Sequence, residues 1–360
     1  IFITSLSMYN HSREDSVKST SFIHRVKAKI LYWLRLTNQP QVKVYHGYGN
    51  KEHLIIFGHV LSLGPLPRRK FSGNIFTNTF ALLRLFIVRP MHRVAVRLEW
   101  EGQVHETTTD IDGFFRFEWK PQVALSPGWH PVEVKSEEPP KWSIIGKGLI
   151  FVPDEYHFAC ISDVDDTFLI SHSANLPKRL QVLFTENAHS RQPFDGVVKH
   201  YQLLADAADG KPNPFFYVSS SEWNLYDYIL EFSHKNELPR GVYLLGQIKQ
   251  FREILKTGQN KHSTKFMRIA RILTAYPHQP FVLLGDDSQM DPDIYSSVIE
   301  HFPGAIRSVY LRHIHKKNKE EVQKIVDRIN GAGVPCCYFE HSHDAIEHSK
   351  KIGLIPADSA

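Results

Sequence analysis

The chain has 360 residues, which is enough for two domains of ordinary size. Hydrophobic residues make up 42% and charged residues 22%, a balance that supports a sizeable core and excludes wholesale disorder. The formal net charge of +5 suits an anionic partner such as a phosphate ester or an acidic membrane surface. Nucleic acid is not an expected partner, because no dense lysine and arginine tract with interleaved aromatic residues occurs.

Cysteine content and hydropathy predict a cytoplasmic protein. The three cysteines (Cys160, Cys336 and Cys337) form a poor disulfide framework, since their number is odd and two are adjacent; a reducing compartment is the simpler interpretation. The longest apolar run, 80–88, is too short to span a bilayer. No basic segment precedes the first apolar residues, so a signal peptide is not expected, and Met8 is a candidate for the true start.

Residues 1–40 are predicted to combine a flexible polar N-terminus with a basic amphipathic helix over 21–37. Ser21 is a suitable N-cap, and apolar residues recur at helical spacing from Phe22 to Leu34. Such a helix could lie on an anionic membrane surface and make the protein a peripheral membrane protein. The simpler alternative is that its apolar face packs against the next domain.

Residues 41–152 are predicted to form a small β-sandwich domain. Short stretches of alternating apolar and polar residues occur at regular spacing, with turn residues between them, at 42–45, 55–60, 94–100 and 114–118. An apolar insert at 77–88 is expected to be a helix between strands that is buried, with contact to a lipid as the alternative.

Residues 153–360 are predicted to form an α/β domain with a parallel sheet and helices on both faces. Apolar runs typical of buried strands occur at 158–161, 215–218, 242–245, 281–284 and 308–311. Helical patterns lie between them or after them, at 224–232, 264–273 and 316–330. Such sheets bind ligands at the carboxyl ends of their strands.

Two acidic loops follow two of these predicted strands. The first contains Asp163, Asp165 and Asp166, and the second contains Asp286, Asp287 and Asp291. Clustered carboxylates are unfavourable unless a cation neutralises them, and carboxylate oxygens suit a hard ion such as Mg²⁺. Each loop alone could be a solvated acidic turn, but together, at strand ends, they predict one metal site.

Ser219 and Lys265 are two further candidates. Ser219 follows the apolar run at 215–218, where a hydroxyl could donate to a phosphoryl oxygen. The competing interpretation, a serine that caps the helix near Trp223, suits Ser221 better. Lys265 begins a helical pattern and could offset phosphate charge, although a surface lysine on a basic helix is a serious alternative.

The order of these residues resembles the four motifs of the haloacid dehalogenase superfamily of phosphotransferases. Residues from about 157 to 312 resemble, more narrowly, the actin-patch-associated phosphatidate phosphatase family. The stretches that carry the resemblance are Ser162–Thr167, Phe215–Leu225 and Val282–Tyr295. An upstream β-rich domain also fits bacterial members of that family. The resemblance implies a haloacid dehalogenase-like fold and Mg²⁺-dependent dephosphorylation of phosphatidate to diacylglycerol.

The resemblance also implies a role for each site residue. Asp163 would be the nucleophile that forms an aspartyl-phosphate, and Asp165 the general acid and base. Mg²⁺ would be held by Asp163, the backbone carbonyl of Asp165 and Asp286, with Asp287 as the alternative ligand. The remaining expected residues are Thr167 in the first motif, Ser219 and Lys265 on the phosphoryl oxygens, and Asp291, which would orient Lys265 or a metal-bound water.

The sequence departs from the family pattern at Glu222, where the family usually has proline, and at Asp287 and Thr264. Glu222 adds negative charge near an anion site, which puts the substrate preference in doubt.

Three alternatives stay open. A soluble phosphomonoester could be the substrate, although the segment 168–214 is short for a large cap, and an open site favours a bulky or membrane-borne substrate. The chain could be a non-catalytic lipid- or protein-binding module, although the full residue set argues against loss of activity. The β-rich domain at 41–152 could serve as an interaction surface.

Overall fold

The computed structural model describes residues 29, 36–37, 39–65, 84–138, 142–154, 157–164, 196–206, 212–247, 261–287, 290–314 and 319–358. The predicted helix over 21–37 and the segment 66–83 therefore lie almost wholly outside the described residues. Of the insert expected at 77–88, the described part contains a single turn of 3₁₀-helix at Arg84–Phe86. None of the described helices has the length and apolarity that a bilayer crossing requires.

The N-terminal half is built from β-strands. Ten strands of the described residues are hydrogen-bonded into one mainly antiparallel network, in which the long strand β4 pairs with five others. The β-rich prediction for this half agrees with the structure, and the two-layer sandwich stays a prediction. The strands are β1 (Leu36–Thr37), β2 (Gln41–Val44), β3 (Gly47–Gly49), β4 (Leu54–Pro65), β5 (Arg89–Pro90), β6 (Ala95–Trp100), β7 (Gln103–Thr108), β8 (Phe114–Trp119), β9 (Gly128–Glu138) and β10 (Trp142–Val152).

The C-terminal half is an α/β unit around a parallel sheet, as predicted. Its strands are β11 (Ala159–Asp163), β12 (Phe215–Glu222), β13 (Gly241–Gly246), β14 (Phe281–Asp286), β15 (Ile306–Arg312) and β16 (Cys336–Phe339). Its helices are α1 (Val197–Ala205), α2 (Tyr226–Lys235), α3 (Lys261–Ala275), α4 (Asp291–His301), α5 (Lys319–Gly331) and α6 (Ser342–Lys351). The segment after β16 is largely helical, and α6 buries one face through Ser342, Ala345 and Ser349.

The strand order of the parallel sheet indicates where a ligand is expected to bind. The order is β13-β12-β11-β14-β15-β16, and every neighbouring pair is parallel. The chain therefore builds outward from β11 in one direction and from β14 in the other. In open α/β sheets the crevice at such a reversal, at the carboxyl ends of the strands, is where ligands bind. Asp163 and Asp286 end the two strands that flank this reversal.

The two halves share a hydrophobic core. Tyr45, in the β-rich half, stacks on Trp223 of the α/β half with a ring-centroid distance of 4.1 Å. Hydrogen bonds also cross the junction: Asn50 donates to the Ala275 carbonyl at 2.6 Å, and Tyr276 donates its hydroxyl to the Gly49 carbonyl at 3.0 Å. The β-rich half thus packs against the turn that directly follows β12 and against the end of α3.

Candidate active site

Three buried carboxylates meet at the carboxyl ends of β11 and β14. Asp163 ends β11, Asp286 ends β14 and Asp291 begins α4. One oxygen from each lies within 4.8 Å of the other two. All three residues are at most 1% exposed. The two acidic loops that the sequence placed at strand ends therefore converge on one point.

Lys265 enters this acidic cluster from α3. Its Nζ lies 2.6 Å from Oδ1 of Asp163 and also donates a hydrogen bond to Oδ1 of Asp291. Burial on its own would lower the pKa of Lys265, but the two carboxylates outweigh it and raise the pKa above the usual value. Lys265 therefore stays an ammonium ion at neutral pH.

The donor set of the cluster fits a hard divalent cation. Lys265 neutralises at most one of the three carboxylates, and buried charges are costly unless they are balanced. Oδ2 of Asp291 accepts no hydrogen bond from any residue that the structure describes. Oxygen donors of this kind suit Mg²⁺ or a similar ion.

The backbone beside the cluster leaves room for nothing larger than glycine at Gly285. A Cβ atom there would lie 2.6 Å from Oδ2 of Asp291 and 2.8 Å from the ring of Tyr295. The Tyr295 hydroxyl in turn donates to the Leu284 carbonyl at 2.8 Å. Gly285 therefore lets the end of β14 and the start of α4 approach closely enough to bring Asp286 and Asp291 together.

Ser219 lies on the strand next to Asp163. β11 and β12 pair in parallel with Asp163 opposite Val218, so Ser219 is one residue beyond that register position. The strand continues to Glu222 and does not end at Val218, so Ser219 is a buried strand residue. Its hydroxyl accepts a hydrogen bond from the Ser221 backbone N–H at 2.8 Å.

The helix-cap interpretation of Ser221 is wrong. Ser221 is itself inside β12, and the N-cap position of the 3₁₀ turn at Trp223–Leu225 is Glu222, which makes no side-chain capping hydrogen bond. β-Bridging to the end of β13 extends the strand past the point where the apolar run stops.

Asp287 is not part of the acidic cluster. Its carboxylate accepts hydrogen bonds from the backbone N–H of Ile314 at 2.7 Å and the hydroxyl of Tyr338 at 2.7 Å, and contacts Nδ1 of His313 at 2.6 Å. Neighbouring aspartates thus face different surroundings: Asp286 faces the cluster, and Asp287 ties the loop to the ends of β15 and β16. Asp165 and Thr167 lie outside the described residues.

Sequence reasoning missed several residues that form hydrogen bonds with the site residues or with their neighbours in the sequence. Ser162, which directly precedes Asp163, shares a hydrogen bond with the Tyr201 hydroxyl at 2.8 Å. His313 could have been suspected, because it directly follows β15 and so sits at the same edge of the sheet as the acids. Nothing in the local sequence marks Tyr201 or Tyr338, which reach the site only through the fold.

Together these features define an α/β domain whose buried carboxylate and lysine site lies at the strand-order reversal of a parallel sheet. Residues 158–313 match a family model described as "Phosphatidate phosphatase APP1, catalytic domain". Over 159 residues the chain is 30% identical to Phosphatidate phosphatase APP1 of Saccharomyces cerevisiae, covering 44% of this chain and 26% of that protein. The segment 158–313 is therefore similar to the catalytic domain of the APP1 phosphatidate phosphatases.

Other similarities are weaker. An uncharacterized protein of Schizosaccharomyces pombe is 21% identical over 165 residues, covering 45% of this chain and 26% of its own length. The chain thus spans about a quarter of the length of the two fungal relatives. A solved carbohydrate acetylesterase from Xanthomonas citri covers 81% of this chain, and this chain covers 75% of it, but the identity of 9% and the TM-score of 0.27 carry no argument about fold or activity.

Proposed function

We propose that this protein is a Mg²⁺-dependent phosphatidate phosphatase that releases phosphate and diacylglycerol through an aspartyl-phosphate on Asp163. The observation that carries the proposal is the buried convergence of Asp163, Asp286 and Asp291 around Lys265 at the strand-order reversal. The family of the segment 158–313 supports the substrate. The proposal includes a haloacid dehalogenase-like catalytic domain over 153–360 and a β-sandwich over 41–152.

The first half of the reaction is carried by Asp163 and Lys265. One carboxylate oxygen of Asp163 attacks phosphorus, while the bond from phosphorus to the glycerol oxygen breaks. Lys265 lies 2.6 Å from Asp163, which is close enough for the ammonium group to meet the phosphoryl oxygens during the transfer. Its raised pKa keeps that positive charge in place. Ser219 is proposed to donate its hydroxyl to another phosphoryl oxygen.

Proton transfer is assigned to Asp165, which lies outside the described residues. It would protonate the leaving alkoxide and then take a proton from the water that hydrolyses the aspartyl-phosphate. Thr167 is proposed to belong to the same motif. Asp291 is proposed to hold Lys265 in position, since the two side chains are hydrogen-bonded.

Asp163, Asp286 and Asp291 are the described residues that could hold the metal, together with the backbone carbonyl of Asp165. When bound, Mg²⁺ screens the negative charge of the phosphate group and so allows a carboxylate to attack it. Asp287, the alternative ligand, is the weaker candidate, because its carboxylate is engaged by Ile314 and Tyr338.

The experiment that tests the proposal compares two substrates. We expect Mg²⁺-dependent phosphate release from phosphatidate in mixed micelles, and loss of that release in the Asp163→Asn variant. Release only from a soluble phosphomonoester would keep the chemistry and discard the lipid. No release from either substrate by the folded protein would favour a non-catalytic lipid- or protein-binding module.

Peripheral contact with an anionic membrane is proposed as well, from the basic pattern at 21–37. Sedimentation with vesicles that contain anionic lipid, with and without residues 1–38, tests this contact. Equal binding of the two proteins would remove the N-terminal segment from the proposal.

A further inference from the structure

A cavity lies at the junction of the two halves. It has a volume of about 220 Å³. It lies between α3, the 3₁₀ turn after β12 and the end of β13 on one side, and strands β3, β4 and β8 on the other. Neither Asp163 nor Lys265 lines it, so it is separate from the acidic cluster. Aromatic side chains form much of its wall: Tyr48, Phe57, Phe114 and Trp223.

Two arginines line one wall of this junction cavity. Arg268 and Arg271 are one turn apart on α3, and neither forms an ion pair with a carboxylate of the described residues. Burial and the neighbouring Arg271 lower the pKa of Arg268 to about 10. Arg116, on the opposite wall, is different, because it pairs with Glu118. The α3 wall therefore presents two guanidinium groups that lack a described counter-ion.

The other ionisable groups of the cavity limit how much negative charge it accepts. Asp110 and Asp112 lie on the turn between β7 and β8, and Asp110 accepts hydrogen bonds from the backbone N–H groups of Asp112 and Phe114, at 2.9 Å each. Burial lowers the pKa of His59 to about 3, with a smaller contribution from Lys43, so His59 is neutral. The balance between the arginines and the two aspartates, with His59 neutral, suits a ligand with one anionic group and disfavours a polyphosphate.

We propose that the junction cavity binds a small organic anion, in which one phosphate or phosphonate group is attached to a compact aromatic or apolar body. Guanidinium groups match the oxygens of phosphate in a forked geometry, and aromatic walls pack against a flat or apolar body. The volume is below the range of about 300–1,000 Å³ that is typical of pockets for drug-sized ligands, so the body must be compact.

Arg268 connects this cavity to the acidic cluster. Its Nη1 donates a hydrogen bond to the Ser219 carbonyl at 3.3 Å, and Lys265 lies three residues earlier on the same helix. An anion bound to Arg268 therefore contacts a side chain that is hydrogen-bonded to β12 at Ser219. The proposal for the junction cavity does not depend on the proposed phosphatase reaction, because none of the residues that line the cavity takes part in that reaction.

The test uses phenylphosphonate, which a phosphatase cannot hydrolyse at its carbon–phosphorus bond. The full chain is titrated in a calorimeter after treatment with EDTA, which removes divalent cations from the acidic cluster. We expect saturable binding that weakens at least about tenfold in Arg271→Gln and in Arg268→Gln, since each removes a charge-assisted hydrogen bond. Arg328→Gln is the matched control, because Arg328 is exposed on α5 and far along the chain from the cavity; its affinity should equal that of the unmodified protein.

Several results would overturn the proposal. The first is an absence of saturable binding, and the second is an unchanged affinity in Arg271→Gln, an exposed position whose variant is expected to fold. The third is an affinity that falls in Asp163→Asn but not in Arg271→Gln, which would place the anion in the acidic cluster. A fourth comparison uses inorganic phosphate. If it binds more weakly than phenylphosphonate, the aromatic wall contributes to affinity as proposed. If it binds equally well or more tightly, the proposal that the ligand has an aromatic or apolar body is wrong.

Discussion

The same side-chain chemistry occurs in two very different settings in this molecule. In the acidic cluster, Lys265 and its carboxylate partners are buried at the carboxyl edge of the parallel sheet. On the β-rich half, Lys135 lies 2.8 Å from Glu99, and Arg97 lies 3.1 Å from the same carboxylate, but all three side chains are about one-third exposed or more. Both are networks of oppositely charged residues, and they differ in their access to water.

The difference in access to water distinguishes a candidate functional site from an ordinary network of surface ion pairs. Exposed ion pairs are screened by water and contribute little, so the Glu99 network needs no function to explain it. A buried group of three carboxylates with one ammonium is costly, and folding alone gives no reason to keep it. Charged residues in such a place are candidates for chemistry.

Replacement of the proposed nucleophile should have the largest effect. In Asp163→Asn the attacking carboxylate is lost, and we expect phosphate release to fall by about a thousandfold or more. The melting temperature should not fall, because the substitution removes one of three clustered negative charges. Glu99→Gln is the matched control from the exposed network and should keep full activity. Activity retained in Asp163→Asn would show that another residue attacks phosphorus.

Buried neutral histidines should make the protein sensitive to acid. Burial lowers the pKa of His59 and of His200 to about 3 from 6.5. Between pH 6.5 and pH 3 the histidine of the unfolded chain binds a proton and the buried histidine does not. The free energy of unfolding is therefore unaffected above pH 6.5 and decreases as the pH falls toward 3. At pH 5 the expected loss is roughly 2 kcal/mol for each histidine. Urea unfolding at pH 7 and pH 5 measures it, and a stability that does not fall with pH would contradict the assigned burial.

A methyl group at Gly285 should disturb the acidic cluster directly. In Gly285→Ala the new Cβ would meet the Asp291 carboxylate and the Tyr295 ring, so we expect a loss of about 1–3 kcal/mol in the free energy of unfolding and reduced activity. Gly331→Ala is the control, because among the described residues no atom beyond its chain neighbours and its own helix backbone lies within 4 Å of the added Cβ. Equal unfolding midpoints in urea for the two variants would mean that β14 and α4 are not packed as described.

The hydroxyl of Tyr338 should affect the metal requirement more than stability. Tyr338→Phe removes one hydrogen bond to Asp287, which follows the proposed metal ligand Asp286, at a cost of about 1 kcal/mol. We expect half-maximal activity to need about tenfold more Mg²⁺. Tyr217→Phe is the control, since its hydroxyl bonds the Pro239 carbonyl instead. A similar Mg²⁺ requirement in both variants would assign Tyr338 a structural role only.

The smallest effect is expected in the exposed network. Lys135→Gln breaks the ion pair with Glu99 on the surface of β9. We expect no measurable change in melting temperature or in phosphate release, at low or high salt. A clear loss of either would show that burial is not what distinguishes the two networks.

The parallel sheet was predictable from the sequence because its strands are buried on both faces. Runs such as 215–218 and 281–284 are continuous and apolar, and both proved to be strands of the parallel sheet. β9 and β10 were missed. In β9 the apolar alternation covers only Val132 and Val134, because the next buried position is Ser136, and β10 contains two glycines, at 146 and 148, which are unfavourable in a strand. The end of β12 was misplaced, since Ser219 to Glu222 join the sheet through β13 and not through their own composition.

The acidic cluster was predictable in part for the same reason. Acids directly after apolar strands must lie at one edge of a parallel sheet, so Asp163 and Asp286 were expected to meet. The sequence could not decide which member of the pair Asp286 and Asp287 faces the cluster, because that choice depends on Tyr338, more than fifty residues away. The junction cavity was beyond sequence reasoning altogether, since it combines Arg268 with aromatic residues of the other half.

The most direct test of the central claim is to trap the phosphorylated enzyme. The protein is mixed with phosphatidate labelled in its phosphate group, quenched in acid within one turnover, digested and analysed by mass spectrometry. We expect a phosphate label on the peptide that contains Asp163. The label should be absent in Asp163→Asn and should be released by hydroxylamine, as is typical of an acyl phosphate. Turnover of phosphatidate without any label on that peptide, or with the label on another residue, would contradict the central claim.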